Sequence, residues 1–203
     1  MLSTKEQAKN DLSGLFDRIW RCIDGAIHDW QERITAGDKA VLKKRSRASF
    51  INDWMCHRAK EEFKDEPNMR IVEKRGYLRL IIGGIYQVRL KKLDKKMRPS
   101  HIPTQTVMAF MRQLQATLPN MPESVTNLYA GYQWNATETA QKGVYIVCPN
   151  GLYHNEWVLE ISQPRAQGAE KVAQFSPPLA ERPKRVVARK TGASQQEQQL
   201  PKP

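Results

Sequence analysis

Long apolar runs are missing from this sequence of 203 residues. Charged residues interrupt its apolar stretches, so none approaches the roughly 20 apolar residues that a membrane-spanning helix needs. The first ten residues are polar and lack the basic start, apolar segment and small-residue cleavage site of a signal peptide. We therefore expect a cytoplasmic protein that does not insert into a membrane.

Cysteine and histidine are scarce, which argues against a metal centre. Cys22, Cys56 and Cys148 lie far apart, and this spacing is typical of reduced thiols packed as small hydrophobic groups. None of the four histidines has a second histidine or a cysteine at the spacing of a zinc site. The sequence therefore predicts no metal ion and no cofactor.

Recognisable catalytic motifs are also missing. The chain has no nucleophile elbow, no metal-binding helix pair and no kinase-like set of motifs. Glu138, Glu156 and Glu160 lie in a region rich in tyrosine, and paired carboxylates there could act as acid and base. Carboxylates on strands usually face water, however, so we predict no catalytic residue. An enzyme with a site assembled on the sheet is the third of three hypotheses.

Positive charge is what the sequence has in excess. Lys and Arg number 33 against 21 Asp and Glu, which gives a formal net charge of +12 at pH 7. Such a field attracts nucleic acid, an anionic membrane surface or an acidic protein, and it concerns partners rather than fold. Charge alone does not choose among these partners.

The N-terminal third has the apolar spacing of helices. Ser3 and Glu6 have the spacing of a capping box, which predicts a helix start. Apolar residues then recur at every third or fourth position as far as Ile34. A helix of about 33 residues is unusually long, so we expect it either to project beyond a compact core or to kink near Gly14 or Gly25.

A second helix is predicted to follow directly. Asp38 can cap it, and Pro67 marks its outer limit. The apolar stripes of the two helices predict an antiparallel helical hairpin over residues 1–66. Its tryptophans could stack on bases, but aromatic residues on an apolar stripe are predicted to lie in the core.

From residue 69 the apolar spacing changes to that of strands. Tyr77–Ile82 and 85–90 are rich in β-branched and aromatic residues, and Gly83 and Gly84 between them can adopt the positive φ angles of a hairpin turn. The glycine pair lacks the following helix, lysine and hydroxyl residue of a phosphate-binding loop. We therefore predict a β-hairpin and no nucleotide site.

The rest of the folded body is predicted to contain one helix and three strands. Thr104 can cap a helix over 103–118. Three strand patterns follow, at 127–134, 143–148 and 156–162. The fold class is therefore α+β: a long helical hairpin (1–66), then an antiparallel sheet body (67–163) built from a β-hairpin, a helix and a three-strand meander.

Residues 164–203 lack this patterning. They are rich in proline and glutamine and carry more basic than acidic residues, which predicts a disordered basic tail. The basic residues of the tail cluster between Arg182 and Lys190.

Two further basic clusters lie in the folded body. The residues predicted to contact phosphates are Lys43, Lys44, Arg45, Arg47, Arg89, Lys91, Lys92, Lys95, Lys96 and Arg98. The first four lie near the start of the second helix, where cations oppose the helix dipole and so indicate an anionic ligand. Sheet aromatics could add base stacking if they lie on an open face, but core packing is the favoured interpretation for all four, namely Tyr86, Tyr129, Tyr132 and Trp134.

The leading hypothesis is thus a non-enzymatic protein that binds nucleic acid, either DNA or RNA, through phosphate contacts. Its rival is a protein-interaction regulator or inhibitor, antitoxin-like or an adaptor, that binds an acidic partner protein through the helical hairpin. An exposed apolar groove along the hairpin would favour the rival. A deep pocket with converging Glu, His and Arg side chains would favour the enzyme.

Overall fold

The computed structural model describes residues 2–74, 76–100, 102–114 and 125–164. Residues Met1–Arg165 form one compact unit. As predicted, the fold is α+β, with an N-terminal helical region followed by a six-stranded, mostly antiparallel sheet. The predicted disordered tail, apart from Pro164, lies outside the described residues, and so does its basic cluster.

The first predicted helix is present as two helices. α1 spans Lys5–Leu12 and α2 spans Phe16–Arg33, and a 3-10 turn at Ser13–Leu15 separates them. The break lies at Gly14, one of the two positions where a kink is expected. Both helices pack on the sheet, α1 against its last strand and α2 against its last three strands.

The start of α1 is displaced by one residue from the prediction. Thr4, not Ser3, is the cap: its hydroxyl accepts from the Gln7 N–H, and the Gln7 side chain accepts from the Thr4 N–H. The Ser3 N–H instead donates to the Thr126 hydroxyl across the fold, at 3.1 Å. Thr4 and Gln7 also have capping-box spacing, so the sequence carries two overlapping start signals.

Two helices replace the predicted second one. α3 spans Ala36–Val41 and α4 spans Lys44–Phe63. The prediction that Asp38 caps the second helix is wrong, because Asp38 lies inside α3 and donates its N–H to the capping hydroxyl of Thr35. The cap position of α4 is Lys43, whose side chain makes no capping hydrogen bond.

The predicted antiparallel hairpin is formed by α2 and α4. Arg18 near the start of α2 pairs with Glu62 near the end of α4, at 3.0 Å. At the other end, the Trp30 and Phe50 rings pack edge to face with centroids 5.4 Å apart. These contacts fix the two helices in opposite directions.

The six strands lie in the sheet in chain order. They are β1 (Met69–Lys74), β2 (Tyr77–Ile82), β3 (Tyr86–Leu93), β4 (Thr126–Trp134), β5 (Gln141–Asn150) and β6 (His154–Ile161). All neighbouring pairs are antiparallel except β3 and β4, which are parallel. The predicted hairpin and meander are confirmed, whereas β1 and the parallel pair are not in the prediction.

A short helix, α5 (Gln105–Met111), lies in the crossover that the parallel pair requires. Thr104 caps it as predicted, since its hydroxyl accepts from the Val107 N–H at 3.3 Å. The helix ends earlier than predicted, and Leu114 is exposed. Residues 115–118 of the predicted helix lie outside the described part of the chain.

Helices cover both faces of the sheet. Because side chains alternate along a strand, Leu128 and Tyr132 of β4 join the core beneath α1, α2 and α4. Tyr129 of the same strand joins Phe110 and Met111 of α5 in a second core on the opposite face. We call these the hairpin face and the α5 face.

The aromatic residues belong mainly to these cores. Trp30 is buried as predicted, and Trp20 and Trp54 pack against the border of the hairpin-face core. The favoured core interpretation of the sheet aromatics is confirmed and base stacking on an open face is ruled out, because all four are buried: Tyr86, Tyr129, Tyr132 and Trp134. Cys22 and Cys148 are buried and all three cysteines are free thiols. Across the described ranges, no helix has the length and apolarity to span a bilayer.

Candidate functional site

Residues from the two basic clusters of the body meet at one loop. Lys44 and Arg47 lie at the start of α4, and Lys92 lies near the end of β3. All three contact the carboxylate of Glu138, in the loop between β4 and β5. The ammonium groups of Lys44 and Lys92 each lie 3.3 Å from a carboxylate oxygen, and the Arg47 guanidinium donates to the same carboxylate.

Local hydrogen bonds shape the loop that presents Glu138. The Asn135 side-chain oxygen accepts from the Thr139 N–H at 2.9 Å and from the Ala140 N–H at 3.3 Å. The main chain of Asn135 accepts from the Glu138 N–H at 3.0 Å. Glu138 itself has a φ of +56°, a conformation that costs about 1 kcal/mol or more for a residue with a Cβ. Its ion pairs hold it there.

Arg47 is the most constrained of the three cations. Its guanidinium also donates to the main-chain carbonyl of Glu138 at 3.1 Å. The guanidinium carbon lies 5.0 Å from the centroid of the buried Trp134 ring. With 17% of its side chain exposed, Arg47 ties α4 to the end of β4.

A cleft of about 410 Å³ opens beside this contact, between the end of α2, the α3–α4 region and the Glu138 loop. Its charged and aromatic walls include Trp30, Lys39, Lys44, Arg47, Trp134 and Glu138. The Lys39 ammonium group donates to the Gln31 carbonyl at 2.6 Å, near the C-terminal end of α2. We call this the cationic cleft.

Electrostatics leave the cationic cleft positive. Burial by itself raises the pKa of Glu138, but the hydrogen bonds and charges of Lys44, Lys92 and Arg47 outweigh it and lower that pKa to about 2. The Glu138 carboxylate therefore remains ionised. It is a single negative charge near four cations, namely Lys39, Lys44, Arg47 and Lys92. The first turn of α4 has no acidic residue and no side-chain cap, so its free N–H groups add to the positive potential.

The other predicted phosphate contacts are dispersed. Lys43 and Arg45 are exposed at the start of α4, and Lys95 and Lys96 are exposed in the turn after β3. Arg98 is half-buried and engaged locally, since it pairs with Asp94 at 2.9 Å. The four exposed residues are therefore accessible to a ligand, whereas the charge of Arg98 is already paired.

Two predicted residues point away from the cationic cleft. Arg89 lies against Phe110 of α5 and Lys91 lies near the Tyr77 ring of β2, whereas Lys92 contacts Glu138. Arg89, one of the predicted phosphate contacts, is buried, with only 5% of its surface exposed. Lys91 and Lys92, expected at the surface, are half-buried. The reason is that β3 is an interior strand with helices on both faces.

Sequence reasoning missed the residue that organises the site. Glu138 was considered only as one of several strand carboxylates, yet the structure gives those carboxylates different partners. Glu156 accepts from the Asn150 side chain at 2.8 Å, and Glu160 is opposite Tyr145 in the sheet. A single acid in a polar loop carries no local signal that cations will converge on it.

No group of three or more potential metal ligands occurs among the described residues. The chain matches no known family model, and no curated protein or solved structure is significantly similar to it. Function must therefore be inferred from the geometry of the cleft and the charge around it.

Proposed function

We propose that this protein binds nucleic acid without catalysis, and that the cationic cleft with the exposed start of α4 contacts the phosphate backbone. The observation that supports this most is the convergence of Lys44, Arg47 and Lys92 on a single carboxylate. These cations come from separate parts of the chain, and one anion does not neutralise them. We further propose that the protein acts in the cytoplasm.

The exposed residues extend this positive surface. Lys43 and Arg45 flank Lys44 at the helix start, where the N–H groups of α4 also attract anions. The lysine at position 44 has 80% of its side chain exposed, so its contact with Glu138 is solvent-screened and readily exchanged for another anion.

The type of contact predicts little sequence preference. The aromatic rings at the cleft, Trp30 and Trp134, are buried, and its cationic groups are those of Lys39, Lys44 and Arg47. Cationic groups bind phosphate oxygens and release counterions, which gives affinity that falls as salt rises. Base-specific readout would need side chains that reach the edges of bases, so different sequences should bind similarly.

The test compares two charge variants of the full chain. Lys43→Gln, Lys44→Gln and Arg45→Gln together remove three charges from the proposed surface. Lys5→Gln, Lys9→Gln and Lys64→Gln together remove three exposed charges elsewhere. Fluorescence anisotropy with a labelled duplex and a labelled single strand, at several salt concentrations from about 50 to 200 mM, measures affinity and its salt slope.

We expect the first variant to bind at least about tenfold more weakly and to lower the salt slope by about one for each phosphate that is no longer neutralised. The control variant should retain most of the affinity, since it has the same net charge but a different distribution. Equal reductions of affinity in the two variants would show that only net charge matters. Absence of binding by the unmodified protein at about 50 mM salt would refute the proposal.

An acidic protein partner is the second candidate, and one observation favours it. Val41 is 79% exposed and Leu42 is 39% exposed beside the basic start of α4. An apolar centre with a cationic rim is a common arrangement at protein interfaces. Val41→Ser would weaken a protein complex, because that complex buries the side chain, and it would leave phosphate binding unchanged.

The cationic cleft does not favour the enzyme hypothesis. No histidine from the described ranges lines it, and the one carboxylate has a pKa of about 2. A carboxyl group with so low a pKa is a poor general acid and a weak general base near neutral pH.

A further inference from the structure

The α5 face of the sheet holds a second group of cations. Arg89 of β3 projects towards α5, and its guanidinium carbon lies 4.1 Å from the centroid of the Phe110 ring. Arg79 of β2 and Lys91 of β3 lie close enough to interact with it electrostatically. The ring centroid of Tyr77 lies 5.8 Å from the Arg89 guanidinium carbon and 5.9 Å from the Lys91 ammonium nitrogen.

These cations have no ion-pair partner among the described residues, although Arg89 is buried and Arg79 and Lys91 are half-buried. Arg89 is 5% exposed, and the Nε atoms of both Arg89 and Arg79 are buried without a hydrogen-bond acceptor. Within the described ranges, no carboxylate lies within 4 Å of Arg79, Arg89 or Lys91. Cys56 and Asp53 of α4 interact with Lys91 electrostatically, and the Asp53 carboxylate does so from beyond 4 Å. Burial of a cation without its counter-charge is strongly unfavourable, so the arrangement calls for an anion.

The electrostatic state of the cluster agrees with this geometry. Burial lowers the pKa of Arg89; the Tyr129 hydroxyl offsets part of this effect, and the neighbouring charge of Arg79 adds to it. Burial likewise lowers the pKa of Lys91. Each lowered pKa shows that the charged form of the side chain is not fully stabilised by negative charge nearby. A bound anion would supply that negative charge.

We infer that Arg79, Arg89 and Lys91 form a second anion-binding site that takes a phosphate monoester group. Such a group carries a charge between −1 and −2 near neutral pH and presents three acceptor oxygens, so it matches three cations better than a single carboxylate does. Phe110 covers the flat side of the Arg89 guanidinium, which leaves the in-plane N–H groups for oxygen acceptors. The half-buried Arg79 and Lys91 and the exposed Tyr77 form the way in.

This site is independent of the proposed nucleic-acid surface. Arg89, its buried residue, lies on the α5 face against Phe110, whereas Arg47 contacts Glu138 and the Trp134 ring at the edge of the hairpin-face core. Either site can therefore be removed by substitution while the other is measured.

The test uses inorganic phosphate and the full chain. We expect calorimetry to detect its binding, and phosphate at about five times Kd to raise the melting temperature by about 2 to 4 °C. The Arg89→Met variant should show no such rise. Without phosphate it should melt at or above the melting temperature of the unmodified protein, because the apolar side chain removes an uncompensated buried charge. Phosphate also stabilises proteins generally, but that effect acts equally on both proteins.

Two further variants test whether the phosphate response belongs to this site. Arg79→Met should weaken phosphate binding about tenfold or more through loss of a charge-assisted hydrogen bond. Lys64→Gln should keep the full phosphate response, because Lys64 is exposed just after α4 and belongs to neither site. Acetate at the same ionic strength should bind far more weakly than phosphate.

Several outcomes overturn the inference. The inference is wrong if calorimetry detects no phosphate binding to the unmodified protein. It is also wrong if Arg79→Met keeps an undiminished phosphate response, or if acetate binds as tightly as phosphate. If Arg89→Met melts well below the unmodified protein and still responds to phosphate, the arginine is a structural residue only.

Discussion

Arg47 and Glu138 are 91 positions apart in the chain, yet the Arg47 guanidinium donates to both the carboxylate and the main-chain carbonyl of Glu138. This double contact joins the start of α4 to the loop between β4 and β5. It also places a carboxylate where Lys44 and Lys92 converge. Glu138 thus occupies the position that a phosphate group would take on the proposed binding surface.

The first prediction concerns competition between Glu138 and a bound phosphate. Glu138→Gln removes the negative charge but keeps the size of the side chain. If phosphates bind at this position, the variant should bind nucleic acid about three- to tenfold more tightly and show a steeper salt slope, because one more contact becomes available. Anisotropy measures both quantities.

The control is Glu6→Gln, which makes the same change of net charge at an exposed position on α1. It should alter affinity much less. Weaker binding by Glu138→Gln would instead show that Glu138 holds the cations in place for the ligand. Glu138 would then not compete with the phosphate.

The second prediction is a pH dependence of stability. The pKa of Glu138 in the folded protein, about 2, lies below the ordinary value of 4.5, so the folded state favours the ionised form. The resulting stabilisation is complete above about pH 4.5 and is lost as the pH falls from there towards 2. Urea midpoints at pH 5, 4 and 3 should therefore fall less steeply for Glu138→Gln than for the unmodified protein.

Part of this acid sensitivity has another source. Burial raises the pKa of Asp94, but hydrogen bonds from the Arg98 and Lys96 main chain and the Arg98 side chain lower it overall. Asp94 therefore contributes in the same direction, and Glu138→Gln should retain some dependence on pH. Identical pH profiles for the two proteins would contradict the assigned role of Glu138.

The secondary structure was largely predictable because it depends on local spacing. The three-and-four apolar spacing indicated α2 and α4, and alternation with glycine turns indicated β2 to β6. β1 escaped prediction since it lies at the edge of the sheet: Arg70, Glu73 and Lys74 are exposed, which leaves no clear apolar alternation. Strand order was beyond sequence reasoning, because the parallel pairing of β3 with β4 depends on the path of the crossover.

The candidate site was predictable only as a set of charges. The sequence identified Lys44, Arg47 and Lys92 as basic residues but carried no information on their convergence, which needs contacts across the fold. Arg89 shows the limit of such reasoning. In the sequence it belongs to a run of basic residues, which is typical of a surface, but it is buried because helices cover both faces of the sheet at β3.

The third prediction tests the parallel pair that positions Lys91 and Lys92. A Cβ at Gly131 in β4 would overlap the main-chain carbonyl oxygen of Lys91 and lie 3.2 Å from the Leu93 side chain. Gly131→Ala should therefore cost about 3 kcal/mol or more, because main chain cannot move aside as a flexible side chain can. Urea denaturation followed by circular dichroism measures this decrease in stability.

Gly14→Ala is the matched control, since a Cβ there meets nothing within 4 Å. It should leave stability unchanged or raise it by about 0.4 to 1 kcal/mol through the lower entropy of the unfolded chain. Similar midpoints for the two variants would mean that β3 and β4 are not held at the described separation.

The last prediction concerns the ion pairs that hold the helical hairpin together. Asp29 of α2 is 5% exposed and accepts from Arg58 of α4 at 2.8 Å and from Arg33 at 3.1 Å. Asp29→Asn should destabilise the protein by about 2 to 4 kcal/mol, because the half-buried Arg58 guanidinium keeps its charge and is deprived of its carboxylate. Glu32→Gln, exposed on the same helix, should change stability by less than about 0.5 kcal/mol. The two variants should share the denaturant slope of the unmodified protein, since the surface exposed on unfolding is unchanged. An Asp29→Asn variant with the midpoint of the control would show that the Asp29–Arg58 ion pair does not help to join α2 to α4.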